Sequence, residues 1–173
     1  MLTTFLDFDH VFAESSPFVW RVLGRLGVAQ RDIPDVGQEV FLIVHRRLAD
    51  YDGRAPVRAW IYGICVRKAA EYRKRAYRRY EQLGHAAEES GEPGEQERHL
   101  ELREARACLE GVLAELSSGQ REAFVLYELE ELPMGEVASA IDCPLQTAYS
   151  RLHAARKAVT EAFRKREGRG EPT

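Results

Sequence analysis

The sequence predicts an all-α fold built from two small helical domains that are joined by a flexible acidic linker. Apolar residues recur every three or four positions along nearly the whole chain, which is the period of an amphipathic helix. Neither strand-like alternation nor an internal repeat stands out. A segment rich in Gly and Glu divides the chain, so we place the first domain at 1–83, the linker at 84–97, the second domain at 98–167 and a disordered tail at 168–173.

The first domain opens with two predicted helices. One covers residues 5–13, and the next runs from Pro17 to about Gly27. We separate them at Ser15-Ser16-Pro17, because Ser caps a helix well and Pro is tolerated in a first helical turn.

The third and fourth helices of this domain lie on either side of a predicted turn. Asp32 is expected to cap the third helix, with Pro34 in its first turn. Its apolar stripe consists of Val36, Val40, Ile43 and Val44. Tyr51-Asp52-Gly53 breaks the pattern, and a long fourth helix is predicted over residues 56–83.

The second domain is predicted to contain a helix-turn-helix. A helix over residues 97–116 is followed by Ser117 and Gln120, which match a capping box for the next helix. Pro133 begins the first helix of the pair. Asp142-Cys143-Pro144 forms the turn, where Asp tolerates a left-handed backbone.

The last predicted helix has two contrasting faces. Small and apolar side chains form the face expected to pack inward: Leu145, Ala148, Leu152, Ala155, Val159 and Ala162. Side chains that can bind base edges or phosphates form the other: Gln146, Thr147, Ser150, Arg151 and Lys157. Because such a helix enters the major groove by its N-terminal end, the pattern favours DNA reading over an αα-hairpin that only packs.

Charge is segregated along the chain, although the total is only −3. Residues 53–80 carry nine basic side chains and one Glu, a net +8, and residues 145–169 carry a net +5. Residues 81–104 carry a net −6. Two basic segments on either side of an acidic one indicate a nucleic-acid partner, although solvated helix faces would give the same pattern.

The long fourth helix combines a core face with a basic face. Its core side is expected to hold Trp60, Ile61, Ile64 and Cys65. Its basic face carries Arg67, Glu71, Lys74, Arg75 and Arg78, and the aromatic residues among the charges are Tyr51, Tyr62, Tyr72, Tyr77 and Tyr80. Basic and aromatic side chains together suit a strand with unstacked bases, whereas core packing is the alternative role for Trp60 and most of the tyrosines.

Two segments of the chain resemble parts of a known family. Residues 35–75, DVGQEVFLIVHRRLADYDGRAPVRAWIYGICVRKAAEYRKR, resemble region 2 of the extracytoplasmic-function (ECF) sigma factors of bacterial RNA polymerase. Residues 116–159, LSSGQREAFVLYELEELPMGEVASAIDCPLQTAYSRLHAARKAV, resemble their region 4. The resemblance implies an alternative sigma factor that binds core RNA polymerase, recognises the −35 and −10 promoter elements and assists promoter melting.

The resemblance also implies which residues contact the polymerase. The outward face of the third helix would dock on the coiled coil of the β′ subunit, through Asp35, Gln38, Glu39 and Leu42. An exposed Leu among charged residues suits a protein contact. Residues 124–132 would meet the β flap.

DNA contacts follow from the same resemblance. The loop over residues 49–57 would capture flipped bases of the −10 element. The residues assigned to that element are Asp50, Tyr51, Arg54, Arg58, Trp60, Arg67, Lys68, Tyr72, Lys74 and Arg75. Those assigned to the −35 element are Gln146, Thr147, Ser150, Arg151 and Lys157. The family usually has a small residue in place of Gln146, so the −35 preference stays open.

Catalysis, metals and cofactors are not expected. The sequence has no paired carboxylates, metal-spaced His cluster, nucleophile elbow or phosphate loop. Cys65, Cys108 and Cys143 are too widely spaced for a metal framework. The start of the chain does not resemble a signal peptide, and no apolar run approaches the roughly 20 residues of a membrane span. We therefore expect a cytoplasmic protein without membrane insertion.

Two other functions stay open at this point. A sigma-like adaptor would bind an anti-sigma factor without recognising promoters, but it should have lost the basic segments. An ordinary helix-turn-helix regulator would lack the D-x-x-Q-E-x-F pattern and the context of Trp60. An anti-sigma factor is also a candidate partner of a sigma factor proper.

Overall fold

A computed structural model describes residues 7–83 and 98–167 of the chain. Seven α-helices account for most of these residues: α1 (Phe8–Arg25), α2 (Ile33–Arg47), α3 (Val57–Leu83), α4 (Arg98–Glu115), α5 (Ser118–Phe124), α6 (Met134–Ala140) and α7 (Leu145–Glu167). The described residues contain no strand. The all-α prediction is therefore confirmed for this part of the chain, whereas the predicted linker and tail lie outside it.

Helix α1 corrects one prediction, because the two helices expected on either side of Ser15-Ser16-Pro17 are a single helix with Pro17 inside it. Residues before and after the proline share one buried face, which includes Val11, Ser15, Phe18 and Val22. This face packs against α2 and α3. Burying it as one surface outweighs the backbone hydrogen bond that a proline cannot donate.

Helix α2 begins where the sequence predicted, but not for the predicted reason. Asp32 stands at the N-cap position without a capping hydrogen bond from its side chain. Its carboxylate instead accepts a hydrogen bond of 2.6 Å from the Tyr72 hydroxyl on α3. The Asp32 carboxylate therefore binds a residue forty positions away in place of the backbone N–H groups of its own helix. Pro34 still occupies the first turn of α2.

The C-terminal half, residues 98–167, forms the expected helix-turn-helix with α6 and α7. The capping box is confirmed, since the Ser117 N–H donates to Gln120 Oε1 at 3.1 Å. Asp142 has the left-handed backbone that the turn requires, with φ at 49°. One π-helical turn, Val125–Leu129, carries the chain from α5 toward α6.

The N-terminal half, residues 7–83, packs directly against the C-terminal half. Helix α6 lies on α3, and a Cβ at Gly63 would be only 3.4 Å from the Ala140 carbonyl oxygen. The buried apolar residues of both halves form one continuous cluster. The sequence predicted two domains on a tether, and the structure adds an interface between them.

Along the described ranges, none of the helices combines the length and the apolar character required to cross a bilayer.

Candidate nucleic-acid interface

The outward face of α7 presents three of the predicted DNA-reading residues to solvent. Gln146, Ser150 and Lys157 are exposed, opposite the buried Ala148 and Leu152. Ser150 Oγ donates a hydrogen bond of 3.0 Å to the Thr147 carbonyl oxygen, so its hydroxyl is partly engaged by its own helix. Gln146 and Lys157 are therefore the freest polar groups of the predicted set.

The other two predicted residues, Thr147 and Arg151, are half-buried at the edge of this face. Arg151 lies against α5, where a Cβ on Gly119 would be 3.0 Å from Arg151 Nε. This position keeps the Arg151 guanidinium close to α5. It therefore suits a contact with a DNA phosphate beside the recognition face better than a contact with a base.

Leu145 corrects the predicted inward face, because it is 50% exposed. It is the first residue of α7 and extends beyond the packing of α5 and α6. Tyr149, one turn later, is 49% exposed, and His153 is exposed as well. Sequence reasoning missed both as candidate DNA contacts. Their positions three and seven residues after Gln146 were the signal that could have identified them.

The basic face of α3 is only partly free. Arg67 and Lys74 are exposed as predicted. Lys68 instead donates to Glu71 at 2.9 Å and lies 3.1 Å from a Glu39 carboxylate oxygen. The hydrogen bond with Glu71 raises the pKa of Lys68. Arg75 also lies near Glu39, at 3.6 Å, so these predicted DNA contacts are coupled to the predicted polymerase face.

Two of the predicted stacking residues lie together at a groove. Trp60 is half-buried and its ring centroid is 5.3 Å from that of Tyr51, while the Tyr51 hydroxyl donates to the Ala55 carbonyl. Residues of α2, of the loop that follows it, of α3 and of α6 line a groove of about 560 Å³: Arg47, Asp50, Tyr51, Asp52, Arg54, Ala55, Trp60 and Ser139. Its aromatic wall is where the predicted capture of flipped bases would take place.

The remaining tyrosines differ in availability. Tyr62 is fully buried, so it takes the core-packing role that the sequence left open for most of the tyrosines. Tyr72 is half-buried and engaged with Asp32, and burial together with that hydrogen bond raises its pKa. Tyr77 is 63% exposed. The side chain of Tyr80 lies outside the described part of the structure.

The face of α2 that is predicted to dock on the polymerase is largely exposed. Asp35 and Gln38 are exposed, and Leu42 is 49% exposed beside them. Glu39 is half-buried between Lys68 and Arg75. The face therefore offers one apolar and two polar side chains to a partner, while Glu39 is paired with Lys68 and Arg75 of α3.

The strongest electrostatic feature was not predicted from the sequence. The Glu130 side chain is completely buried at the contact between the halves. Its carboxylate accepts hydrogen bonds from Arg21 at 3.1 and 2.8 Å, from Arg25 at 2.5 Å, from Arg58 at 3.4 Å and from the Tyr62 hydroxyl at 2.5 Å. All four donors belong to the N-terminal half.

This network changes the pKa of its members. Burial alone would raise the pKa of Glu130, but the hydrogen bonds from Arg21 and Tyr62 and the nearby positive charges lower it overall. Burial and the bond to Glu130 raise the pKa of Tyr62, which therefore stays a neutral donor. Glu130 is accordingly ionised, and its charge is neutralised from the other half of the chain.

A second polar contact joins the halves at α5. Arg73 donates to Glu122 at 2.9 Å and also to the Leu26 carbonyl. The neighbouring Arg121 is buried and donates to the Leu113 carbonyl at 2.6 Å, and burial lowers its pKa. A Cβ at Gly27, whose φ is +91°, would overlap the Arg121 guanidinium. Gly27 thus permits this close approach.

Within the described residues, no group of three or more His, Cys, Asp or Glu side chains is placed to hold a metal ion. The exposed polar groups are instead suited to binding phosphates, base edges and a protein partner.

Comparison with known proteins assigns the family. The family model for Sigma-70 region 2 matches residues 11–79, and that for Sigma-70, region 4 matches residues 106–159. The ECF RNA polymerase sigma-E factor of Escherichia coli strain K12 is 31% identical over 144 residues, which are 76% of this chain and 74% of that protein. The chain belongs to the ECF sigma factors. The sigma-E factor of Haemophilus influenzae strain Rd is 30% identical over 141 residues, 76% of this chain and 75% of that protein.

Solved structures share the fold of this ECF sigma factor. The sigma factor RpoE of Bartonella quintana, in complex with the anti-sigma factor NepR, matches 91% of this chain and 97% of its own, with 19% identity and a TM-score of 0.76. CnrH, in complex with the cytosolic domain of CnrY, matches 91% of this chain and 88% of its own, with 22% identity and a TM-score of 0.68. The family predicted from the sequence is confirmed, and with it the function of an alternative, promoter-recognising sigma factor.

Proposed function

We propose that this sigma factor reads the −35 element with the outward face of α7, and the −10 element with α3 and the loop over residues 49–57. The observation that carries the proposal is the exposed row of Gln146, Ser150 and Lys157 opposite a buried face. A helix that packs by one side and leaves such groups free can enter the major groove. Tyr149 and His153 extend this row.

The −10 contacts divide into two kinds. Arg67 and Lys74 are exposed and suit phosphates, which give affinity without sequence information. Trp60 and Tyr51 form the aromatic wall of the groove and suit an unstacked base. The protein thus supplies both a backbone contact and a stacking surface on one side of the N-terminal half.

Binding to core RNA polymerase would use the exposed side chains Asp35, Gln38 and Leu42 of α2. The segment 124–132 is a weaker candidate for the β flap, because Phe124, Val125 and Leu126 are buried. We further propose that the protein acts by binding alone, without catalysis, in the cytoplasm where the polymerase works. An anti-sigma factor is a candidate partner, since the sigma factor RpoE of Bartonella quintana, which shares this fold, was solved in complex with the anti-sigma factor NepR.

Transcription in vitro with core polymerase on a pool of random promoters tests the proposal. We expect the protein to select a defined −35 and −10 pair. The Gln146→Ala variant should select a different or relaxed −35 sequence at one position, because removing a bidentate hydrogen bond to a base costs about 1–3 kcal/mol.

Gln30→Ala is the matched control. Gln30 is an exposed Gln in the N-terminal half, so its replacement removes the same atoms without touching α7. It should select the parent sequences. An unchanged −35 preference in Gln146→Ala would show that α7 is placed differently in the groove, and no selected promoter at all would refute the proposed function.

A further inference from the structure

Three arginines and a tyrosine of the N-terminal half form an anion-binding site. We call Arg21, Arg25, Arg58 and Tyr62 the arginine cluster. Together they give five hydrogen bonds to the two oxygens of one carboxylate, that of Glu130. Guanidinium groups bind the paired oxygens of a carboxylate and of a phosphate with the same geometry. The same donors can therefore bind the oxygens of a phosphate.

The N-terminal half holds much of this site in place by itself. The Arg58 guanidinium lies over the Phe18 ring at 5.1 Å and donates to the Tyr62 hydroxyl at 3.1 and 2.9 Å. The Phe18 and Tyr62 rings are 4.9 Å apart and both residues are buried. Glu130 belongs to the other half of the chain, and its carboxylate accepts the hydrogen bonds that the cluster donates.

The arginines of the cluster are already partly exposed to solvent. Even with Glu130 in place, the side chains of Arg21, Arg25 and Arg58 are 44%, 28% and 53% exposed, whereas that of Glu130 is 0% exposed. Three cations left together without an anion repel one another, so the empty site would favour a new anion.

The packing of α6 on α3 indicates when Glu130 would leave the arginine cluster. Ser139 of α6 lines the groove together with Trp60, so α6 lies directly beside the proposed −10 surface. The −35 and −10 elements occupy different stretches of a promoter. In the proposed function, α7 must reach the −35 element while the groove reaches the −10 element. We therefore expect the halves to separate when promoter DNA is bound, which withdraws Glu130 from the cluster.

We infer that the arginine cluster is a phosphate-binding site for the DNA backbone, and that Glu130 competes with DNA for it while the halves are packed together. The inference rests on the proposed function. It adds Arg21 and Arg25 to the DNA-contacting residues, and it gives Glu130 the role of an internal phosphate mimic.

Binding of a fluorescent single-stranded oligodeoxynucleotide to the full chain, measured by anisotropy over a range of salt, tests the inference. Glu130→Gln removes the competing charge and should tighten binding several-fold. Adding Arg21→Ala and Arg25→Ala to that variant should abolish the gain. The triple variant should also lower the slope of log K against log salt by about 0.7 for each phosphate that it no longer binds.

Glu128→Gln is the matched control for net charge. Glu128 lies two residues before Glu130 but pairs with Arg156 of its own half at 2.5 Å, so its change should leave the affinity near that of the parent. Arg31→Ala is the control for the arginine changes, because Arg31 is exposed and lies outside the cluster. Helical circular dichroism should match the parent for every variant compared.

Each outcome decides one point. Equal affinities of Glu130→Gln and Glu128→Gln would overturn the competition, and a gain that survives the replacement of Arg21 and Arg25 would overturn the phosphate site. The double variant Arg21→Ala, Arg25→Ala with Glu130 intact gives a second check, since it removes three of the five hydrogen bonds to Glu130 yet should show no gain. Promoter-directed transcription by the parent protein is measured in parallel, and its failure would refute the proposed function without touching the oligonucleotide result.

Discussion

Gln38 and Leu42 are the most available members of the proposed polymerase-docking face. Both are exposed one turn apart on α2, whereas Glu39 between them is already engaged by Lys68 and Arg75. A side chain that has satisfied its charge within the protein gains less from a new partner than a free one does. At the scale of single residues, exposure therefore ranks the candidate contacts.

We expect the double change Gln38→Ala, Leu42→Ala to weaken binding to core polymerase by about fivefold to thirtyfold, because it removes an apolar anchor and a polar contact that are together worth roughly 1–2 kcal/mol. Titration of fluorescently labelled protein with core enzyme measures the weakening.

The matched control for this change is Gln30→Ala, Leu145→Ala. It removes the same atoms from equally open positions, since Leu42 and Leu145 are 49% and 50% exposed. Equal core affinity of the two double variants would contradict the docking assignment.

At the scale of the elements, the contact between α1 and α2 depends on one glycine. A Cβ on Gly37 would overlap the six-membered ring of Trp20, which lies across α2 and also packs edge-on to Phe41 at 5.8 Å. Gly is otherwise unfavourable within a helix by about 1 kcal/mol relative to Ala. Its presence at this position is thus explained by the close approach of the Trp20 ring.

Gly37→Ala should destabilise the protein by up to about 2 kcal/mol, because an overpacking penalty of about 1–3 kcal/mol is only partly offset by a gain of about 1 kcal/mol in helix propensity. Urea unfolding followed by circular dichroism measures the difference.

Gly135→Ala on α6 is the control, since nothing lies within 4 Å of a Cβ at that position. It should be neutral or slightly stabilising. If Gly37→Ala were as stable as the parent, Trp20 would have to move aside at no cost, and the packing argument would fail.

At the scale of the whole molecule, two kinds of contact join the halves. Charged groups of the C-terminal half, Glu122 and Glu130, meet arginines of the N-terminal half. Helix α6 meets α3 through small residues, with Gly63 against the backbone of Ala140. The second contact can be disturbed without changing any charge, which separates packing from electrostatics.

Gly63→Leu should push the halves apart and raise the radius of gyration measured by small-angle X-ray scattering. The reason is that a Cβ at this position already touches Ala140 at 3.4 Å, and the rest of a Leu side chain has no room. Helix content should not fall, because Leu has a higher helix propensity than Gly.

Gly135→Leu is the control for this experiment, as it adds the same side chain to an open position. An unchanged radius of gyration in Gly63→Leu would mean that the α3–α6 contact tolerates the extra volume and that the packed arrangement is more robust than its glycine indicates.

The sequence by itself determined the features that depend on local pattern. Apolar spacing gave α2, α3 and α7 close to their observed bounds, and Ser117 with Gln120 marked the start of α5. The helix-turn-helix and the left-handed Asp142 followed from turn chemistry, and the motifs of both halves indicated the family. These features can be predicted from the sequence because they depend on interactions between residues close together in the chain.

Tertiary structure alone decided the contacts between distant residues. Pro17 stays inside α1 because its helix is packed on two others, and Leu145, the first residue of α7, is left half-exposed. Glu130 accepts a hydrogen bond from Arg21, 109 residues away in the sequence, and another from the buried Tyr62 hydroxyl. No local period encodes such a pairing, since its energy arises only when folding brings the two groups together and removes them from water.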